Sequence, residues 1–362
     1  MRILIDGRFW GLENAGLGRY TINLVENLAK LDTKNEYCLL LRKTYFNRIN
    51  LPSNWHPVLA EWQHYSLGEQ FHIPKLIFKV KPDLCHFLHF NVPLLINRPF
   101  VVTIHDTVMH RSKGLESTTL NPLLYFPKRL GYKLVFAEAV KKAKKIIVPS
   151  NFVKKEILKE FKIKEEKVTV IYEGFNEIFL KTKSSKQPPY FVYAGNAYPH
   201  KNLERLVEAA KYIKTNLIIV SARNVFVERL EKLIKSQNAQ EYVKILGFLP
   251  DEELAGIYRN SMGFIYPSLF EGFGLQGLEA MASGTLLLAS DIPVFKEIYK
   301  DNAIYFNPFD FSSIARAMET VLTMEKEKRE AVIAEAQKFV QKYSWSKMAQ
   351  ETLKIYESCI SR

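Results

Sequence analysis

The 362-residue chain predicts an α/β architecture of two doubly wound parallel sheets, and three observations carry that expectation. Short apolar runs alternate with amphipathic helical stretches, the pattern of strands buried under crossover helices. The alternation is interrupted by the polar stretch KTKSSKQPP (181–189) and then restarts. The chain also exceeds the length at which a single hydrophobic core stops growing, so two cores are expected.

In the first half the strands are RILID (2–6), EYCLLL (36–41), DLCHF (83–87), FVVTI (100–104), KIIVP (145–149) and VTVIY (168–172). Helical patterns fall between several of them, for example at 20–30 and 151–161. After the break come YFVYA (190–194), NLIIV (216–220), YVKIL (242–246), GFIY (263–266) and TLLLAS (285–290). These positions set a first domain at 1–175, a linker at 176–188 and a second domain at 189–343. A last helix, SWSKMAQETLKIYESCI (344–360), spaces Trp345, Met348, Leu353 and Tyr356 along its length, and its apolar side needs a partner.

A composition of 47% hydrophobic and 25% charged residues is that of an ordinary globular protein. No apolar run approaches the roughly 18 residues of a membrane span. The start, MRILIDGRFW, lacks the regions of a signal peptide. Cys38, Cys85 and Cys359 are widely spaced with no CxxC, which fits a reducing cytosol and neither a disulfide framework nor a zinc site. A cytoplasmic protein is expected.

The formal charge is +13, and it is unevenly spread: residues 111–170 hold 15 Lys/Arg against 6 Asp/Glu. A nucleic-acid binder would interleave such charge with aromatics, and KKAKK (141–145) does not, so no nucleic-acid partner is expected. A solvated helix face accounts for the charge; the sharper reading is attraction to an anionic membrane surface or an anionic acceptor.

Four loops at strand ends carry the chemistry, because doubly wound sheets bind ligands where helices begin at the carboxyl ends of strands. In DGRFWGLENAGLGRY (6–20), Gly16 and Gly18 let backbone approach a ligand at a helix N-terminus. A dinucleotide site is the rival, but Thr21 occupies the third glycine position of GxGxxG, and a plain turn reads equally well. In TIHDT (103–107), His105 can hydrogen-bond a substrate or move a proton; a histidine satisfied by nearby backbone is the bland alternative. His86 and His89 read as structural. In YAGNAYPHKNLERL (193–206), Lys201 just before a helix makes an anion site, or else a solvent-facing lysine.

The fourth loop, PSLFEGFGLQGLEAMASG (267–284), brackets a glycine turn with carboxylates. The amides of Gly272, Phe273, Gly274 and Leu275 suit an anion, whereas Glu271 and Glu279 accept hydrogen bonds from hydroxyls, not from phosphate. A ligand with phosphate in the centre and hydroxyls on both sides is a nucleotide sugar.

These residues bring the chain to a family. AGLGRY, TIHD, VPSNF (148–152), PHKN, LGFLPDEEL (246–254) and EGFGLQGLE, in that order, closely resemble the retaining glycosyltransferases of family 4. The resemblance covers essentially the whole chain. It implies the GT-B fold, two Rossmann-like domains facing across a cleft, with the last helix (344–362) crossing back to the N-terminal domain. It also implies that the N-terminal domain holds the acceptor and that the C-terminal domain holds the donor. Glu279 would hold the ribose and Glu271 the donor sugar's hydroxyls. Lys201 would neutralise the leaving diphosphate, and Gly16 would approach it from the other domain. His105 would lie near the reacting sugar, and the turn GFLP, with Phe248 and Leu249, beside the base. Asn196 stands where many members carry arginine, and Gln276 where proline is common.

The expected reaction is transfer of a hexose-type sugar with retention from a GDP- or UDP-sugar to a glycan or lipid-linked glycan. It would serve cell-surface polysaccharide or glycolipid synthesis, on the cytoplasmic face of the membrane. No cofactor or metal is expected, because Lys201 and helix amides supply the positive charge. Two alternatives use the same loops: a nucleotide-sugar binder without transferase activity, and a GT-B epimerase, which would need acid and base groups flanking the sugar.

Overall fold

In the computed structural model, which describes residues 1–108, 122–181 and 188–360, each apolar run read from the sequence is a strand. The first sheet contains β1 (Arg2–Asp6), β2 (Glu36–Leu41), β3 (Trp55–Leu59), β4 (Leu84–Phe87), β5 (Phe100–Thr103), β6 (Lys145–Val148) and β7 (Val168–Val170), in the order β3-β2-β1-β4-β5-β6-β7. The second contains β8 (Phe191–Ala194), β9 (Leu217–Val220), β10 (Val243–Leu246), β11 (Gly263–Tyr266), β12 (Leu287–Ser290) and β13 (Ile304–Phe306), in the order β10-β9-β8-β11-β12-β13. Every pairing is parallel, for example Ile3 opposite Tyr37 and Leu84, and Val192 opposite Ile218 and Phe264. Strands buried on both faces need continuous apolar sequence, which is why these runs lack a polar alternation.

Two strands had no sequence signal of that kind, and both are edges. β3 contains Pro57 and is largely exposed, a composition tolerated where one side of a strand has no partner. β13 has only three residues.

The chain divides into two compact units: Met1–Glu173 with Ser344–Arg362, and Gly174–Tyr343. The first core joins Leu4, Leu40, Phe87 and Val102 to Ile73 and Ile77 of the helix Leu67–Val80 and to Phe136 and Val140 of the helix Pro122–Lys142. The other side of this unit pairs the helices Ala15–Leu31 and Trp345–Ile360, with the rings of Tyr20 and Trp345 6.4 Å apart. Tyr356 Oη lies 2.6 Å from His86 Nδ1 and anchors the C-terminal helix to β4. The second core packs Phe191, Ile219 and Leu288 under Leu206, Leu230 and Met318.

Residues 176–188, expected as a linker, begin as part of the second unit. Glu177–Leu180 form a 3-10 turn, and the buried Phe179 ring lies 6.1 Å from that of Tyr258. Residues 182–187 of that stretch lie outside the described residues, as does 111–121 of the basic segment.

Glycines at two helix starts do different work. Gly274, with φ 107°, is the N-terminal cap of the helix Leu275–Ala282. Its carbonyl accepts a 2.5 Å bond from Tyr299 Oη, and a Cβ there would meet that oxygen at 2.1 Å. A Cβ on Gly277 would meet the same hydroxyl at 2.4 Å. Gly18 lies against the Gly11 carbonyl, 1.9 Å from where its Cβ would be, so its bareness serves local packing; Gly16 has open space around it. Gly274→Ala therefore combines a clash with a left-handed backbone and should cost about 1–3 kcal/mol of unfolding free energy in a urea titration. Gly16→Ala should leave the same transition unchanged or slightly raised.

Candidate functional site

In the second unit, strand order reverses at β8: the chain runs from β8 through β9 to β10, then from β11 through β12 to β13 on the other side. The loops after β8 and β11 therefore part on either side of the reversal, where a crevice opens in a doubly wound sheet. Those two loops carry Lys201 and Glu271, 70 residues apart in sequence. Lys201 Nζ donates to Glu271 Oε1 at 2.5 Å, with both side chains nearly buried. Burial alone would raise the Glu271 carboxyl, but the ammonium of Lys201, with His200 and the hydrogen bond, holds it below the usual carboxylate range. Burial and the neighbouring Lys201 push the His200 imidazole down to about 4, so at neutral pH Lys201 is the cation of its loop.

The loops are bolted together beneath that pair. Asn202, in a left-handed conformation between the turn Pro199–Lys201 and the helix Leu203–Tyr212, donates to Pro267 O at 3.0 Å and Pro308 O at 2.8 Å. Leu269 N donates to His200 O at 2.8 Å. The residues after Glu271 turn inward: Phe273 is buried with its ring 5.9 Å from that of Tyr343, and Leu275 is buried too. It is thus backbone, not side chain, that Gly272, Phe273, Gly274 and Leu275 can offer a ligand. Glu279 is 2% exposed within the helix Leu275–Ala282. Gln276 takes a 2.6 Å bond from Tyr266 Oη on its Oε1. A side-chain tether thus stands where proline is common.

Asn196, in the arginine position, has its Oδ1 buried and unpartnered among the described residues, while its carbonyl accepts from Tyr193 Oη at 2.7 Å. It contributes no charge to this loop. Phe248 is exposed and Leu249 half-buried in the loop after β10, and neither joins the pair.

In the first unit His105 follows β5. Its Nδ1 lies 3.1 Å from Glu173 Oε1 and its Nε2 3.0 Å from Leu88 O, with the Tyr20 ring edge-on at 4.6 Å. His86 lies between Tyr356 Oη and Thr103 Oγ1; burial, helped by the neighbouring His105, pushes it down to about 3, so it is a neutral structural residue. At the end of β1, the fully buried Arg8 donates through Nη2 to Asp6 Oδ2 and Glu69 Oε1, each at 2.6 Å. Asp6, His64 and Glu69 are the residue types of a cation site and bring their ligand atoms within 4.8 Å of one another. The Arg8 guanidinium already bridges both carboxylates, so the cluster is closed by its own cation.

Sequence reasoning missed four of these residues. Arg8, Glu69, Glu173 and Tyr299 act through partners 25 to 68 residues away, and no local pattern marks that kind of contact. Asn202 lies in the PHKN motif, which was the available signal.

Relatives align with this chain nearly end to end. The O-antigen chain mannosyltransferase RfbU of Salmonella typhimurium is 28% identical over 360 residues, covering 94% of this chain and 95% of the relative. O-antigen chain mannosyltransferase B of Escherichia coli is 24% identical, covering 94% and 96%. Among solved structures, sucrose-phosphate synthase from Thermosynechococcus elongatus superposes with a TM-score of 0.78 at 20% identity over 99% and 98% of the two chains, a likeness of fold. The model of Glycosyltransferase Family 4 matches residues 15–177, and that of Glycosyl transferases group 1 follows over 174–339. Two parallel-sheet Rossmann-like domains, an acid–base pair at the reversal of the second sheet and these matches agree: the chain belongs to glycosyltransferase family 4 and is a GT-B glycosyltransferase.

Proposed function

We propose that the chain transfers a hexose-type sugar, with retention, from a nucleotide-sugar donor to a glycan or lipid-linked glycan in cell-surface polysaccharide synthesis. The observation that carries this reading is the Lys201–Glu271 pair beside the Gly274 turn. A diphosphate has the charge to draw Lys201 away from Glu271, and Glu271 is then free to accept from sugar hydroxyls. Glu279, in the helix beyond the turn, takes the ribose hydroxyls, and His105 lies near the reacting sugar. Phe248 and Leu249 flank the base. Both full-length relatives named above are mannosyltransferases of O-antigen chains, which supports mannose as the sugar and a surface polysaccharide as the product. GDP- and UDP-sugars are the donors to compare.

As the donor bond breaks, negative charge grows on the diphosphate, and Lys201 with the turn amides stabilises it. Departure on the same face as attack gives retention. A second reading, donor binding without transfer, draws on the uncharged Asn196.

The acceptor side of the proposal rests on a surface. Phe126, Leu130 and Leu134 recur every four residues on the helix Pro122–Lys142 and are 65%, 72% and 53% exposed, with Lys128, Arg129 and Lys133 between them. Leu67, Phe71 and Phe78 form a second exposed line on the helix Leu67–Val80, which shares its core with the first. Apolar stripes flanked by cations suit an anionic lipid surface, with lysine stems lying along the acyl boundary. No helix among the described residues is long and apolar enough to cross a membrane. Peripheral docking is the proposed mode.

Three measurements test this. Incubation with GDP-mannose or UDP-glucose and a lipid-linked oligosaccharide extract should give transfer. Lys201→Ala should lower kcat by roughly 100-fold or more with a smaller change in KM, as expected for charge that develops in the transition state. Glu279→Ala should weaken calorimetric nucleotide binding by about 1–3 kcal/mol. Donor binding without transfer in the unaltered protein would favour the second reading.

Activity should survive EDTA, because Lys201 and the amides replace a metal; loss that Mg²⁺ restores would reverse that part of the proposal.

Cosedimentation with anionic vesicles should fall with added salt, since each lysine near the surface contributes roughly 1 kcal/mol. It should also weaken in Leu130→Ser/Leu134→Ser. Binding only to neutral vesicles, or none at low salt, would point to a soluble acceptor.

A further inference from the structure

Both ring nitrogens of His105 face groups that only accept: the Glu173 carboxylate at 3.1 Å from Nδ1 and the Leu88 carbonyl at 3.0 Å from Nε2. A neutral imidazole has one N–H and satisfies one of them. Both contacts are made together only when the pair holds a second proton. The site is also shielded: the His105 and Glu173 side chains are 13% and 9% exposed, and the Tyr20 ring closes one side.

We infer that Glu173 is a positioning residue that holds His105 as a doubly protonated imidazolium, so that its Nε2–H serves as a hydrogen-bond donor to a substrate oxygen and not as a base. Nδ1–H stays on the carboxylate, which fixes the ring plane, and Nε2–H is the proton that exchanges Leu88 O for a hydroxyl or phosphoryl oxygen. The surroundings fit a cation at this point. Burial pushes both His86 and His89 well down, so neither competes for the proton. The closest carboxylate, Glu173, follows β7 at the carboxyl edge of the sheet that also presents His105.

The inference rests on the proposed place of His105 near the reacting sugar, and two readouts separate the two ideas. In the full chain labelled with 15N-histidine, the His105 signal is assigned by its loss in His105→Gln. At neutral pH both its ring nitrogens should resonate as protonated. In Glu173→Gln, whose amide oxygen can still accept from Nδ1–H but brings no charge, a neutral tautomer should replace that pattern. The same variant should lower kcat on GDP-mannose or UDP-glucose by roughly tenfold or more, the lower end for partners that orient functional histidines, with KM for the donor changed less. Glu173→Asp should recover part of both, and melting temperatures of all three proteins confirm that they fold. A neutral His105 in the unaltered protein overturns the inference, and so does an unchanged kcat in Glu173→Gln when His105→Gln lowers it. Full activity in His105→Gln removes His105 from the reaction; the imidazolium pattern and its loss in Glu173→Gln then decide the pairing alone.

Discussion

The ion pair between Lys201 and Glu271 is the constraint around which the second unit is arranged. Taking two charges out of water costs several kcal/mol each, and their attraction repays this only when geometry is fixed by other bonds. The structure supplies them: Asn202 ties the loop after β8 to those after β11 and β13, Leu269 N anchors on His200 O, and Tyr266 and Tyr299 clamp Gln276 and Gly274. A pair held this way is neutral without a ligand. In the proposed function it separates into a cation for phosphate and a carboxylate for hydroxyls, and the bonds that hold the loops do not pass through the pair. The same chemistry explains why a lysine is buried at all.

The first unit solves a related problem in the opposite sense. Its sheet also reverses next to its first strand, between β1 and β4, and charge again gathers at the carboxyl end. Here Arg8 satisfies Asp6 and Glu69 at once, and Glu69 further accepts from Tyr65 N at 2.9 Å. Desolvation would raise the Asp6 carboxyl, yet Arg8 keeps it below the usual range. With every strong partner internal, this cluster braces the loops after β1 and β3. His105 and Glu173, further along the same edge, keep a proton donor within reach of the surface. Buried charge thus braces the first unit and, in the proposed function, serves chemistry in the second; what separates the clusters is that Arg8 bridges two carboxylates whereas Lys201 meets one.

Much of this was legible in the sequence, and the reason is local. Strands buried on both faces are continuous apolar runs, so eleven of them could be read off; β3, with Pro57 at an exposed edge, and the three-residue β13 could not. The helix Leu67–Val80 hid behind its internal Pro74, although Ser66 and Glu69 stand at capping-box spacing and Ser66 Oγ does accept from Glu69 N at 3.2 Å. Lys201, Glu271 and Glu279 were legible because motif spacing and strand ends mark them. Their mutual contact was not, since it follows from strand order, and strand order is decided by packing over the whole sheet. Glu173 is the extreme case: it gains its meaning from a histidine 68 residues earlier.

The basic excess shows how far a charge count can be trusted as a surface property. Lys141, Lys142, Lys144 and Lys145 look from the sequence like one cationic patch. In the structure Lys144 Nζ donates to Cys359 O at 3.1 Å, Lys145 Nζ to Glu166 O at 2.7 Å, and Lys167 Nζ to Lys141 O at 2.7 Å. Cys359 and Lys141 lie in the last turns of their helices, where unpaired carbonyls and the helix dipole favour a cation. Lys142 is paired with Glu138 at 2.9 Å. Two of these lysines are therefore tied to backbone carbonyls and a third is paired with a carboxylate, so they do not form one free cationic patch. What distinguishes the surface is apolar: two lines of exposed Leu and Phe on helices that share one core, which water alone does not favour. In the proposed docking, cations bring such a face to an anionic bilayer and the buried methylenes keep it there. The position of Leu130 and Leu134 is therefore the stronger argument for a membrane-bound acceptor than the net charge of the chain.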